Sequence, residues 1–283
     1  MKVEAFAKIN LTLDVTGRRP DGYHEVEMLM QSVSLSDIIT LRKADSITLF
    51  CDKPGVPLGE RNTAFKAAKL FFEKTGIAPG VTIDIRKSIP MQAGMAGGSA
   101  DAAGVLFGIN ELFGKPLSEE EMLGIAVRVG ADVPFCLLGG TMLAKGIGEE
   151  LSTVSPLPDC VIAVVKPEEN VSTGAAYALV DALKDPKRPD NEAVMKALEE
   201  GDLKAVASGM VNLFHEATGT ETTEKIVRTL MKNGALGAVM TGSGSAVFGI
   251  FEEKEKAEKA IAEMPEHETH IAYPERTGCR IIE

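Results

Sequence analysis

The most restrictive stretch for the fold is Ile89-Pro90-Met91-Gln92-Ala93-Gly94-Met95-Ala96-Gly97-Gly98-Ser99-Ala100-Asp101, a glycine-rich loop that runs into residues 102–113. Positions 102, 106, 109 and 113 are apolar, so the loop opens a helix with a buried face. Closely spaced small residues let successive backbone N–H groups converge on one anion, and the helix behind them adds its positive dipole end. A phosphate cradle and a tight strand-to-helix connection both satisfy this pattern. It is not a Walker loop, because no Gly-Lys-Ser/Thr closes it, and Gly94, Gly97 and Gly98 lack the G-x-G-x-x-G spacing. The H-R-D and D-F-G strings of protein kinases are absent too.

Around this loop the pattern reads as strands first, then mixed elements. Ala5, Ala7, Ile9, Leu11, Leu13 and Val15 alternate with Phe6, Lys8, Asn10, Thr12 and Asp14, which is strand patterning and puts Lys8 and Asn10 on one face, off the core. A turn at Arg18-Arg19-Pro20-Asp21-Gly22 precedes strand-like segments at 25–35, 38–42 and 46–51, a helix over 62–74 and a strand at 81–85. Ser118-Glu119-Glu120-Glu121 has the capping-box form, and Gly130 is placed to end that helix in a left-handed cap. Further on come strands at 141–144 and 161–165, helices within 173–210 and at 222–232, strands at 236–240 and 246–251, a helix at 254–264 and terminal strand segments. Pro156 and Pro158 mark a boundary near 155, giving expected domains of 1–155 and 156–283 in an α+β protein.

Length agrees, since 283 residues is about twice the ~150 typical of one domain. With 30 Lys+Arg against 41 Asp+Glu, the net charge of -11 repels nucleic acid and anionic lipid. An anionic ligand therefore needs a local site. Cys51, Cys136, Cys160 and Cys279 form no CxxC pair, which excludes a readable zinc or redox motif and suits reduced thiols in the cytoplasm. The first fifteen residues alternate where a secretion signal needs an unbroken apolar run. Residues 233–251 carry no charge, but five glycines and Thr241-Gly242-Ser243-Gly244-Ser245 argue against a membrane span.

The loop from Pro90 to Ala100 resembles the central phosphate-binding motif of the GHMP kinases, the family of galactokinase and of homoserine, mevalonate and phosphomevalonate kinases. Ala7-Lys8-Ile9-Asn10-Leu11 is similar to the family's N-terminal motif, and Thr241-Gly242-Ser243-Gly244-Ser245-Ala246-Val247-Phe248-Gly249 to its C-terminal glycine motif, in the right order. Pro20-Asp21-Gly22-Tyr23-His24, the run from Gly97 to Ala103 and Gly130-Ala131-Asp132-Val133-Pro134-Phe135 narrow the resemblance to the branch that phosphorylates a cytidine-diphosphate-linked methylerythritol on the non-mevalonate isoprenoid route. The likeness runs from residue 5 to about 250. It implies a two-domain fold with a mixed-sheet N-terminal domain, a ferredoxin-like C-terminal domain and an active site in the cleft between them. One departure is Ala100, where many family members carry a second Ser.

By this resemblance, Lys8 and Asp132 are the catalytic pair: the aspartate accepts the proton of the attacking hydroxyl and the lysine stabilises charge on the transferring phosphoryl. Without it, Asp132 reads as a helix N-cap and Lys8 as a solvated strand residue. ATP is expected on Pro90, Met91, Gln92, Ala93, Gly94, Met95, Ala96, Gly97, Gly98 and Ser99, with Mg²⁺ arriving on the nucleotide and Ser99 as its candidate contact. Asn62 is either a helix cap or part of the adenine pocket. Tyr23 and His24 read the cytosine, with Tyr177 on its opposite face in a sandwich; on residue type alone they are a packed turn and a buried helix aromatic. Asn10 fixes a substrate hydroxyl or phosphate. Gly242 and Ser243 close over the site, or simply turn a hairpin. The expected partner is a small molecule, with no nucleic acid and no membrane, and the chain is a monomer or weak homodimer. Another small-alcohol GHMP kinase and a catalytically inactive ligand-binding relative are the competing readings.

Overall fold

The computed structural model describes residues 1–283 and distributes its strands over two sheets. In chain order come β1 (Lys2–Arg18), β2 (His24–Lys43), β3 (Ile47–Cys51), α1 (Thr63–Thr75), β4 (Val81–Arg86), α2 (Gly97–Leu112), α3 (Glu119–Val129), α4 (Val133–Leu138), β5 (Thr141–Lys145) and β6 (Glu150–Thr153). There follow β7 (Val161–Lys166), α5 (Thr173–Val180), α6 (Asn191–Glu200), α7 (Leu203–Ser208), β8 (Val211–Asn212), α8 (Leu213–Thr218) and α9 (Glu221–Lys232). The chain finishes with β9 (Gly237–Met240), β10 (Val247–Phe251), α10 (Lys254–Ala262), β11 (Glu268–Ala272) and β12 (Cys279–Ile281).

The eight-stranded sheet follows the path β12-β1-β2-β4-β3, with β5 and β6 extending from β2 and β8 beside β1. It is mixed, because β3 pairs β4 and β8 pairs β1 in parallel while the other pairs are antiparallel. The second sheet is antiparallel in the order β11-β7-β10-β9. With helices inserted after its first and third strands, this is the split βαβ, ferredoxin-like arrangement. The protein is thus α+β with two sheets, and β12 carries the chain back from the second sheet to the edge of the first.

Local sequence explains most boundaries. Asn62 caps α1 by accepting the Ala64 N–H at 2.8 Å, and Gly76 ends it in a left-handed conformation. Ser118 and Glu121 form the capping box of α3. Asp190 and Asp202 cap α6 and α7, so the helical region expected over 173–210 is broken into three. The residues expected as strands at 25–35 and 38–42 form one 20-residue strand, β2. Register shifts against β1 at Phe6/Ala7, Asn10/Thr12 and Val15/Gly17 let the long pair bend without breaking.

Other expectations fail for identifiable reasons. Helix α2 begins at Gly97, not 102, so the last glycines of the motif form its first turn; packing between the sheet and α1 and α4 overrides their low propensity. Gly130 has φ 179°, an extended backbone in place of the expected left-handed cap. Strand β6 was not anticipated. The uncharged stretch 233–251 is a turn, β9, a loop and β10, and no helix of the protein is long and apolar enough to cross a membrane.

Candidate active site

The phosphate loop is held in an unusual backbone path. Gln92, Gly94 and Ala96 have φ of 52°, 73° and 59°, so left-handed residues alternate through the loop and turn successive N–H groups toward one concavity. Ala96 sits at the N-cap of α2 and supplies no side-chain cap. The first amides of that helix are therefore left for a ligand, at the end where the dipole favours an anion. A cavity of about 370 Å³ opens on this surface, lined by every residue from Pro90 to Ser99 and by Asn62, Arg61 and Lys87. Asn62 spends its amide on structure, accepting from Ala64 and donating to the Pro57 carbonyl at 2.8 Å. It also lines this cavity, with one Nδ2 hydrogen left over from its structural bonds.

Strand β1 meets the loop at a gap in its own ladder. On the edge away from β2, residues Val3–Ala5 pair with β12, and Thr12 and Leu13 with β8. Between them the amides of Phe6, Lys8 and Asn10 donate in turn to Gly278 O, Met95 O and Thr241 Oγ1, at 3.0, 3.2 and 3.0 Å. Three distant segments thus converge on one stretch of strand. The two glycine loops press directly together there: a Cβ on Gly94 would lie 2.1 Å from Thr241 O, and one on Gly242 2.6 Å from Gly94 O. Only glycine permits this approach.

Lys8 and Asn10 share a face, as the alternation required, but that face is covered: Lys8 is 4% exposed and Asn10 fully buried. The reading of Lys8 as a solvated residue is corrected by the second domain, which covers this side of the strand. The Lys8 ammonium donates to Asn10 Oδ1 at 2.6 Å, and the same oxygen accepts the Gly242 N–H at 3.0 Å. Asn10 therefore orients the lysine and ties down the second glycine loop with one atom.

A second cavity, of about 440 Å³, is lined by Lys8, Asp132, Tyr177, Thr173, Gly242 and Ser243 among others. It shares Gln92, Gly94, Ala96 and Ser99 with the first. Asp132 stands at the N-cap position of α4, where the cap reading placed it, yet its side chain makes no cap hydrogen bond. Its carboxylate is half-buried and unpaired at the cavity wall. No ion pair joins it to Lys8, whose hydrogen bond goes to Asn10.

Of the aromatic residues expected around the base, His24 and Tyr177 are in contact with each other, with ring centroids 4.4 Å apart and planes inclined by 15°. Tyr23 is 61% exposed and stands away from Tyr177. Phe214 backs Tyr177 edge-on at 4.9 Å.

Sequence reading missed three features. Lys87 bridges Asp37 and Asp101 at 2.5 and 2.6 Å beneath the loop, with Asp37 also accepting the N–H groups of Ser88 and Ile89. Burial pushes the Asp101 carboxyl up to about 7 against the pull of Lys87. Burial also disfavours the charged lysine, but the two carboxylates outweigh it and hold Lys87 above its ordinary value. A basic residue just before the motif was the available signal. Thr173 and Ser243 join hydroxyls at 2.9 Å between the start of α5 and the second glycine loop, both in the second domain, and Asp181 pairs with His24; neither has a local signature. For magnesium, no group of three or more His, Cys, Asp or Glu is placed to hold a metal. Ser99 at the junction of the cavities fits an ion held chiefly by phosphates and water.

Comparison with known proteins finds named relatives over nearly the whole chain. The GHMP kinases N terminal domain description matches residues 62–140, and GHMP kinases C terminal matches residues 194–270. A protein of Caldicellulosiruptor bescii named 4-diphosphocytidyl-2-C-methyl-D-erythritol kinase is 46% identical over 268 residues, 93% of this chain and 94% of its own. One of the same name from Acetivibrio thermocellus is 46% identical over 260 residues, 91% and 92% of the two chains. A solved 4-(cytidine 5'-diphospho)-2C-methyl-D-erythritol kinase superposes with a TM-score of 0.82 at 32% identity, over 97% of this chain and 99% of that one. A homoserine kinase from Cytophaga hutchinsonii, at 20% identity and a TM-score of 0.77 over 100% and 97%, shares the fold.

Proposed function

The chain belongs to the GHMP kinase family, and from that premise we propose that it transfers the γ-phosphoryl group of ATP to the 2-hydroxyl of 4-diphosphocytidyl-2-C-methyl-D-erythritol, a step of isoprenoid precursor synthesis. The observation that carries the reading is the meeting of two cavities at Gln92, Gly94, Ala96 and Ser99. A nucleotide in one and an alcohol in the other bring donor and acceptor together at the uncapped end of α2.

Each residue then has a task. Amides of the loop and of the first turn of α2 receive the phosphates of ATP. Asp132, half-buried with an unpaired carboxylate, orients the acceptor hydroxyl and takes its proton as the O–P bond forms. Lys8, aimed by Asn10, balances the charge that develops on the transferring group. Magnesium, held by phosphates, water and Ser99, would neutralise charge on the phosphates. Gly242 and Ser243 close the acceptor cavity from the second domain, linked by Ser243 to Thr173. The cytosine meets the edge of the His24 ring, and the exposed Tyr23 is free to fold over the base. We assign residues 1–155 to nucleotide binding and 156–283 to closure of the cleft, in a cytoplasmic enzyme that is a monomer or weak homodimer and binds no nucleic acid.

An assay of ADP release tests this with 4-diphosphocytidyl-2-C-methyl-D-erythritol, homoserine and mevalonate in parallel. Turnover confined to the cytidylylated alcohol is expected. Comparable kcat/KM with either small alcohol would replace this function with the other kinase reading, and no turnover at all would leave an inactive relative.

A further inference from the structure

His24 is fixed by two contacts that do different things. Stacking on Tyr177 at 4.4 Å sets the plane of the imidazole, and Phe214 keeps Tyr177 from yielding. A stacked ring still has two orientations related by a half-turn about its last torsion, which exchange Nδ1 with Cδ2 and Nε2 with Cε1. Asp181 selects between them. Its Oδ1 and Oδ2 lie 3.0 and 3.2 Å from His24 Nε2. A carboxylate only accepts, so Nε2 carries the hydrogen and donates it, and in the neutral ring Nδ1 is left as a bare acceptor. No protein group donates to that nitrogen, and the side chain is only 10% exposed.

We propose that Asp181 is a positioning residue for base specificity: by holding His24 as the Nε2–H tautomer, it presents Nδ1 to the exocyclic amine of cytosine and sets it against the O4 of uracil. The inference rests on the reading above, in which the acceptor is a cytidine diphosphate derivative whose base meets His24. Cytosine carries a donor at its 4-position where uracil carries an acceptor. With Nδ1 unprotonated, cytosine completes a hydrogen bond. Uracil brings two lone pairs face to face and leaves both without a partner, which is how a polar site rejects a near-isostere. Neither the stack nor the carboxylate would do this alone, since one fixes only the plane and the other only the edge.

The test is Asp181→Asn, because an amide NH₂ can donate to Nε2 and so stabilise the opposite tautomer, Nδ1–H. Wild type and variant are compared at pH 8 on the cytidine- and uridine-diphosphate forms of methylerythritol, reading the ratio of kcat/KM. In Asp181→Asn the preference for cytidine should fall at least about tenfold, as expected for losing one discriminating hydrogen bond, mostly through a lower KM for the uridine form. Asp181→Glu, which keeps the carboxylate, should retain most of it. Nitrogen-15 spectra of the unliganded protein should show His24 protonated at Nε2 in the wild type and shifted toward Nδ1 in Asp181→Asn. A preference unchanged by Asp181→Asn, or a wild-type ring protonated at Nδ1, overturns the proposal. If the wild type used neither nucleotide substrate, the function would be wrong, while the spectra would still decide whether Asp181 sets the tautomer.

Discussion

Two lysines flank the same phosphate loop and are held in opposite ways. Lys87 is clamped by Asp37 and Asp101, with all three side chains 5% exposed or less. Lys8 is equally buried but donates to the neutral oxygen of Asn10 and pairs with no carboxylate. A cation between two buried anions spends its field on the fold, and removing it strands two charges. One set against a neutral amide keeps its field for whatever enters the cavity. Asp132 extends the contrast, since it occupies a cap position without capping. The difference teaches that unsatisfied charge at a cleft, more than charge itself, separates chemistry from architecture here.

That division can be broken by substitution. Asp132→Asn should lower kcat by roughly 10²–10⁴, the range for a lost general base, with little change in KM for ATP; steady-state kinetics near wild type would remove Asp132 from the chemistry. Lys87→Met should destabilise the protein by about 3–5 kcal/mol in urea unfolding, the usual penalty for breaking a buried pair. A loss below about 1 kcal/mol, the scale of a surface pair, would erase the contrast. Lys8→Met should do the reverse, cutting kcat roughly 10²–10³-fold while thermal unfolding shifts little, because only a neutral partner is left behind. Equal damage to stability from both lysine variants would show that they are held alike.

The dependence on pH sharpens the electrostatics of the clamp. Burial pushes Asp101 up to about 7, whereas an unfolded aspartate loses its proton near about 4. Between those values the folded state holds a proton that the unfolded chain lacks, so raising pH favours unfolding. Wild-type stability should therefore fall relative to Asp101→Asn by at most about 1.4 kcal/mol per pH unit across that window and level off above it. A difference that stays flat between pH 5 and 7 would place the proton elsewhere.

What could be read beforehand depended on distance along the chain. The phosphate loop, the strand face of Lys8 and Asn10 and the caps at Asn62 and Ser118 are local patterns, and the residues carry their own reasons. The union of 25–35 and 38–42 into β2 was hidden because bulges against β1 absorb the breaks in alternation. The early start of α2 was hidden because helix packing, not propensity, decides Gly97 and Gly98. Lys87 reaches a carboxylate fifty positions away and His24 one 157 positions away; no spacing rule joins such pairs. The stacking of His24 on Tyr177 was out of reach for the same reason, since only the folded chain brings the two rings together.

The gap in the ladder of β1 also has a consequence during translation. The amides of Phe6, Lys8 and Asn10 find their partners at residues 278, 95 and 241. A nascent chain that has released the phosphate loop but not the last third of its length carries a bare strand edge and no walled pocket. The ribosome must therefore deliver the chain past residue 278 before this edge is closed, and until then it is open to pairing with neighbouring chains.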